Sequence, residues 1–319
     1  MKKTEENNSS IVRKPGKLLP ALLISIAVVS VLSGISIFVY RKINYTIHNN
    51  PSVTKLASQW SEYDYAGVYE TACDLTEKKF LNNTVYTYRG YAAYYLGVSE
   101  TDPALAQEYI NDSISSLRIA LLKAKEKTIP QIKYMLGKAY FYKNIICSYH
   151  YYADLVVKYL EDAKALGYKA DDIPEYLGIS YGQLGMSFES IARFSEALLI
   201  RDSDSLLLSI AEQYYKEGQF AAAKQYLFRI KNESSDDDLV LKSMNLLGTI
   251  YIDEKNYDEA RREFEGILKK NQNSADAFYG LGVIYEKQGD LVKARAEWRK
   301  ALRVQVNHSL SLEKMANYK

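Results

Sequence analysis

Beyond about residue 52 the apolar positions recur at spacings of three and four, which place one apolar stripe on each of a series of helices. The clearest stretch runs Leu247-Gly248, Tyr251, Ala260, Phe264 and Ile267. Thirty-four residues later stand Leu281-Gly282, Tyr285, Ala294, Trp298 and Ala301, matching in type at all six positions. Between the Tyr and the Ala of each block lies a short polar break, Lys255-Asn256 in one and Gly289 in the other, which predicts a turn between two helices. No stretch shows the strict two-residue alternation of an exposed strand. The pattern predicts an all-α chain of paired helices.

The same frame recovers earlier copies with growing drift. Ile210-Ala211, Tyr214, Ala223, Leu227 and Ile230 form one, and Leu177-Gly178, Tyr181, Ser190, Phe194 and Ala197 another. Leu136-Gly137 and Tyr140 open a third, completed by Val156, Leu160 and Ala163 after a seven-residue extension. Gly90 and Ala93 open a fourth, completed by Ser113, Leu117 and Ala120 after an insertion around Thr101–Pro103. Upstream, Val53–Lys79 offers only Val68, Ala72 and Leu75, preceded by a short helix ending near Trp60. Repeats therefore start near 83, 130, 171, 204, 241 and 275. Gly185 and Gly218 fall in turns, and Asp171-Asp172 before Ile173-Pro174 mark a helix start.

A period of 34 with large, Leu, Gly, Tyr, Ala, aromatic and Ala positions resembles the tetratricopeptide repeat (TPR) family. The resemblance implies a right-handed α-solenoid of helical hairpins over 52–308, best matched at 171–203, 204–236, 241–274 and 275–308. A C-terminal helix over 309–319 would cover the last apolar face. In that family the first helix of each repeat lines a concave groove. Carried over by position, the groove holds Tyr91, Tyr94 and Tyr95, then Tyr134, Lys138, Phe141 and Tyr142. Tyr215 follows from the copy at 204; Asn245, Thr249, Ile252 and Asp253 from that at 241; Tyr279, Val283, Glu286 and Lys287 from the last. The N-terminal half of this groove is aromatic, and the same tyrosines could equally pack against the elongated helices of the insertion-bearing repeats. The Lys/Asn pairs with which some family members clamp a chaperone's terminal carboxylate are absent from the corresponding positions.

Ahead of the repeats, Leu18–Tyr40 is an uncharged run of 23 residues, about 34 Å as a helix against a hydrocarbon core of about 30 Å. It is too long for the apolar part of a cleaved signal peptide, and Ile35 stands where a lipobox needs Cys. The expectation is a cytoplasmic tail (1–17), a transmembrane helix (18–40) and a linker (41–51). Five Lys/Arg before the run place the N-terminus in the cytoplasm and the repeats outside it, periplasmic in a bacterium.

Composition narrows the function. The net charge is +2, and with the basic tail removed the body is close to neutral, without the basic field of a nucleic-acid binder. Two cysteines, Cys73 and Cys147, and three histidines, His48, His150 and His308, do not make a zinc site or a disulfide framework. Asp236-Asp237-Asp238 lacks the Gly and Glu of a calcium loop. No phosphate loop, HExxH or nucleophile elbow occurs. Neither catalysis nor a cofactor is expected. The unusual number is 29 Tyr against 9 Phe and 2 Trp, residues that suit half-buried helix faces and binding grooves. These features together predict a membrane-tethered scaffold that binds protein or peptide segments in its groove. The alternative is a small-molecule or lipid carrier with an apolar cavity between N-terminal repeats.

Overall fold

The computed structural model describes residues 32–41, 52–77, 82–147 and 152–318. Among them there is no strand. Residues 32–41 are helical. From residue 53 onward the helices are α1 (Val53–Ser61), α2 (Tyr65–Glu77), α3 (Asn83–Ser99), α4 (Pro103–Leu122), α5 (Ile129–Ile146), α6 (Ala153–Ala165), α7 (Ile173–Gln183) and α8 (Ser187–Ile200). They continue with α9 (Asp204–Lys216), α10 (Phe220–Glu233), α11 (Asp237–Asp253), α12 (Tyr257–Lys270), α13 (Ala275–Lys287), α14 (Leu291–Val304) and α15 (Ser309–Asn317). A short 3-10 turn, Glu126–Thr128, leads into α5. The insertion-bearing hairpin is the long one: α3 and α4 have 17 and 20 residues, whereas α13 and α14 have 13 and 14.

In five of the hairpins one glycine sets the distance between helices, whereas the α9–α10 hairpin has Ala211 there. A Cβ on Gly178 or Gly248 would lie 2.6 Å from the ring of Phe194 or Phe264, far inside van der Waals contact. Gly90, Gly137 and Gly282 meet Leu117, Leu160 and Trp298 in the same way. The large side chain of the second helix thus lies flat on bare backbone of the first, and Phe264 and Trp298 are almost fully buried. Where the Ala of the second helix is replaced by Ser, the hydroxyl finds an acceptor. Ser113 and Ser190 donate to the carbonyls of Gly90 and Gly178, both at 2.7 Å.

The turns repeat as well. The amides of Met186, Gln219, Asn256 and Asp290 donate to the carbonyls of Tyr181, Tyr214, Tyr251 and Tyr285, closing the first helix with a six-residue loop. The residue before each amide is left-handed: Gly185, Gly218, Gly289 and, in the copy at 241, Lys255 with φ 61°. The left-handed residue there is Lys255 and not Asn256, whose side chain caps α12 instead.

Each helix packs on the next one in sequence. First helices also touch the first helix of a neighbouring hairpin: α1 with α3, α3 with α5, α5 with α7, α9 with α11, α11 with α13. Second helices make no comparable contact with one another. The first helices therefore stand on the crowded inner side of the stack. The architecture is an all-helical solenoid.

The expected membrane span is corrected here. Residues 18–31 of the run, with the tail before them and most of the linker, lie outside the described residues. The described end, residues 32–41, is about 15 Å of helix, half of a hydrocarbon core. No helix among the described residues is long and apolar enough to cross a membrane. The single-pass placement, with a cytoplasmic N-terminus and an extracytoplasmic repeat domain, is therefore withdrawn.

Candidate functional site

The inner side carries two distinct environments. Toward the N-terminus it is a wall of interlocked rings. Tyr91, Tyr94, Tyr134 and Phe141 are each less than a tenth exposed. Tyr94 meets Tyr95 and Tyr142 edge-on at 5.3 and 5.6 Å, and Phe141 packs on Tyr176 at 4.5 Å. Tyr95 is the outermost, stacked on Tyr65 at 4.5 Å. Lys138 does not reach out of this wall. Its ammonium lies over the rings of Tyr94, Tyr134 and Tyr176 and pairs with Asp172 at 3.0 Å. The Tyr134 hydroxyl donates to the same carboxylate at 2.8 Å, so Asp172 begins α7 without capping it. Burial pushes the phenols of Tyr91, Tyr94 and Tyr134 far above their ordinary value, with Asp172 adding to the effect at Tyr134.

Toward the C-terminus the inner side opens. A cavity of about 300 Å³ lies between α11, α13 and the terminal helix. Asn245, Thr249, Ile252 and Asp253 line it from α11, and Tyr279, Val283 and Lys287 from α13. Phe264 contributes to the lining, and Leu310 of α15 adds an apolar edge. Asn245 makes no side-chain hydrogen bond and Lys287 no ion pair among the described residues. Glu286, by contrast, is taken up by the terminal helix, accepting from Lys314 at 2.7 Å and Tyr318 at 2.6 Å. Burial works against its charge, but these two donors outweigh burial and hold the carboxyl below its ordinary value. His308 anchors that helix. Its Nδ1 accepts the Ser311 backbone N–H, which leaves the proton on Nε2 to donate to Asp276 at 3.0 Å. Tyr215 sits one hairpin upstream and reaches the rim by donating to Asp253 at 2.9 Å.

The family model for the tetratricopeptide repeat protein 21 C-terminal ARM domain matches residues 161–315. The chain is also similar in fold to the C-terminal part of a TPR repeat-containing protein from Cytophaga hutchinsonii. That match has 15% identity and a TM-score of 0.51, covering 82% of this chain and 98% of the other. The apo form of the quorum sensor NprR from B. thuringiensis is similar at 18% identity and a TM-score of 0.57, covering 83% and 80%. The body of this chain is a TPR-like repeat array. At such identities the likeness concerns the fold.

The TPR-like frame distributes the expected groove residues unevenly. Asn245 and Tyr279 come together in one cavity, with Tyr215 tied to its rim. Tyr94, Tyr95, Tyr134, Lys138, Phe141 and Tyr142 form the ring wall, and Tyr91 joins it while lining a separate cleft. Positional mapping missed Asp172 and Tyr176, which complete the surroundings of Lys138, and Leu310, which closes the cavity. Asp172 was visible only as an acid at a helix start. Leu310 lies outside the repeat. Cys73 and Cys147 carry free thiols and are half-buried, and His150 lies outside the described residues. No cluster of three or more His, Cys, Asp or Glu able to hold a metal occurs among the described residues.

Proposed function

We propose that this TPR-like array is a scaffold that holds a short segment of a partner protein in the cavity between α11, α13 and α15. One observation carries the reading: positions chosen solely by their place in the repeat, Asn245 and Tyr279 with Thr249, Ile252, Asp253, Val283 and Lys287, converge on a single space. A volume of about 300 Å³ is at the lower end of ligand pockets and has room for a side chain or two of a bound segment. Its chemistry suits a peptide. Ile252, Val283 and Leu310 offer apolar surface, the Asn245 amide can bond a main-chain group, Lys287 supplies a positive charge, and Asp253 and Asp276 supply negative ones.

The reading is of a binding protein and not an enzyme. The carrier alternative, an apolar cavity between N-terminal repeats, has less support, because Tyr94, Tyr134 and Phe141 are packed with Tyr142 and Tyr176 into a closed wall.

The test is a biotinylated octapeptide library probed with the full chain and with an Asn245→Ala/Tyr279→Ala variant. A family of related peptides bound at least ten-fold more weakly by the variant is expected. If no peptide prefers the unaltered chain, the reading fails.

A further inference from the structure

A second cleft, of about 400 Å³, lies at the other end of the array, between α1, the start of α3 and the turn into α5. Its walls are unlike those of the C-terminal cavity. Trp60, Tyr88 and Tyr91 supply flat apolar surface, with the Trp60 ring centre 5.8 Å from both tyrosines. Lys125 and Lys127 share the lining with them. Neither lysine forms an ion pair or stacks on a ring among the described residues. The described lining contains no carboxylate at all, and Glu126, between the two lysines, is not part of it.

Tyr91 is 7% exposed as a residue, and its hydroxyl, which keeps contact with solvent, makes no hydrogen bond among the described residues and can offer one to a ligand in the cleft. Thr84 and Gln131 add further donors to the lining. By contrast the ammonium of Lys138, in the next hairpin, is fully engaged by Asp172 and three rings.

We propose that this cleft binds an organic anion carried on a flat ring, an aromatic carboxylate or aryl phosphate. The ring lies against Trp60 and Tyr88, and the anionic oxygens face Lys125 and Lys127. Rings recognise a planar body by offset or edge-on packing, worth more than area alone, while two uncompensated ammonium groups select negative charge. The site is independent of the peptide reading given above, since it uses α1, α3 and the α4–α5 turn and no residue of the C-terminal cavity. The same chemistry could come from a free metabolite or from a side chain of a peptide.

Trp60 provides the readout, because the other tryptophan, Trp298, is fully buried at the far end of the chain. The full chain is titrated with phenyl phosphate, inorganic phosphate, phenol and an end-blocked phosphotyrosine tripeptide, following tryptophan emission. Phenyl phosphate is expected to shift the emission saturably, at least ten-fold more tightly than inorganic phosphate or phenol. Lys125→Ala/Lys127→Ala, at two exposed positions, is expected to weaken it at least ten-fold with an unchanged helical spectrum. Tyr91→Phe is expected to weaken it two- to five-fold. Tighter binding of the tripeptide than of phenyl phosphate assigns a protein-borne ligand, and the reverse a free one. Phenyl phosphate binding no better than inorganic phosphate, or binding unaltered in the double lysine variant, overturns the proposal.

Discussion

The Tyr215 hydroxyl donates to the Asp253 carboxylate at 2.9 Å and so links α9 to α11 beside the C-terminal cavity. Burial, then the bond to Asp253, pushes the Tyr215 phenol up to about 12, and burial beside Asp172 does the same for Tyr176. The folded chain thus holds these protons more tightly than an unfolded one, whose phenols lose theirs near pH 10. The stabilisation is complete below about pH 10 and is lost as the pH rises toward 12. Absorbance at 295 nm is expected to show late-titrating phenols, one fewer in Tyr215→Phe, with loss of helical signal over the same interval. Full titration near pH 10 with the helices intact would contradict the burial of these rings.

Gly248→Ala tests the contact that spaces the hairpins. The added methyl must displace the Phe264 ring, and overpacking of this kind costs about 1–3 kcal/mol. The higher helix propensity of Ala returns at most about 1 kcal/mol. A lower urea midpoint is expected, with partial recovery when Phe264→Leu is added. The copy at 204 already pairs Ala211 with Leu227, which shows the smaller combination in place. An unchanged midpoint would mean that the ring moves aside freely.

Lys255 is the left-handed residue in the α11–α12 turn, where the three comparable turns have Gly. A side chain in that conformation costs about 1–2 kcal/mol, and the extra freedom of an unfolded Gly takes back about 0.5–1 kcal/mol. Lys255→Gly is expected to stabilise the chain by about 0.5–1 kcal/mol, read as a higher thermal midpoint. Gly289→Ala, at φ 85°, is expected to lower it.

Asp172→Ala removes the one carboxylate paired with Lys138 and leaves a lysine whose side chain is 17% exposed among three rings. Breaking such a pair on one side only is costly, and a loss of about 1–3 kcal/mol is expected because Asp172 itself is partly solvated. Combining it with Lys138→Met is expected to restore much of the loss. An additive double variant would show that the two side chains do not interact.

The repeats were legible because their physics is local. A Gly facing a large ring, a Tyr carbonyl closing a helix and a left-handed turn residue each leave a mark at a constant spacing. What surrounds a side chain was not legible. Tyr94, Tyr134 and Tyr279 occupy the same kind of repeat position, yet two are buried in the ring wall and one lines an open cavity. The difference comes from partners outside the repeat pattern: Asp172 and Tyr168 beside Tyr134, and α15 beside Tyr279. Lys125 and Lys127 went unnoticed for the same reason, since they sit in a connection that no periodicity describes.

Helices in this chain make substantial contacts only with the next helix or the next but one. A change at one place must therefore be handed on from hairpin to hairpin, and each interface absorbs part of it. Two hairpins, α7–α8 and α9–α10, lie between the last helix that lines the N-terminal cleft and the first that lines the C-terminal cavity. Occupancy of either is felt weakly at the other, so two partners held at once would add their free energies without cooperating, as on a rail with separate hooks.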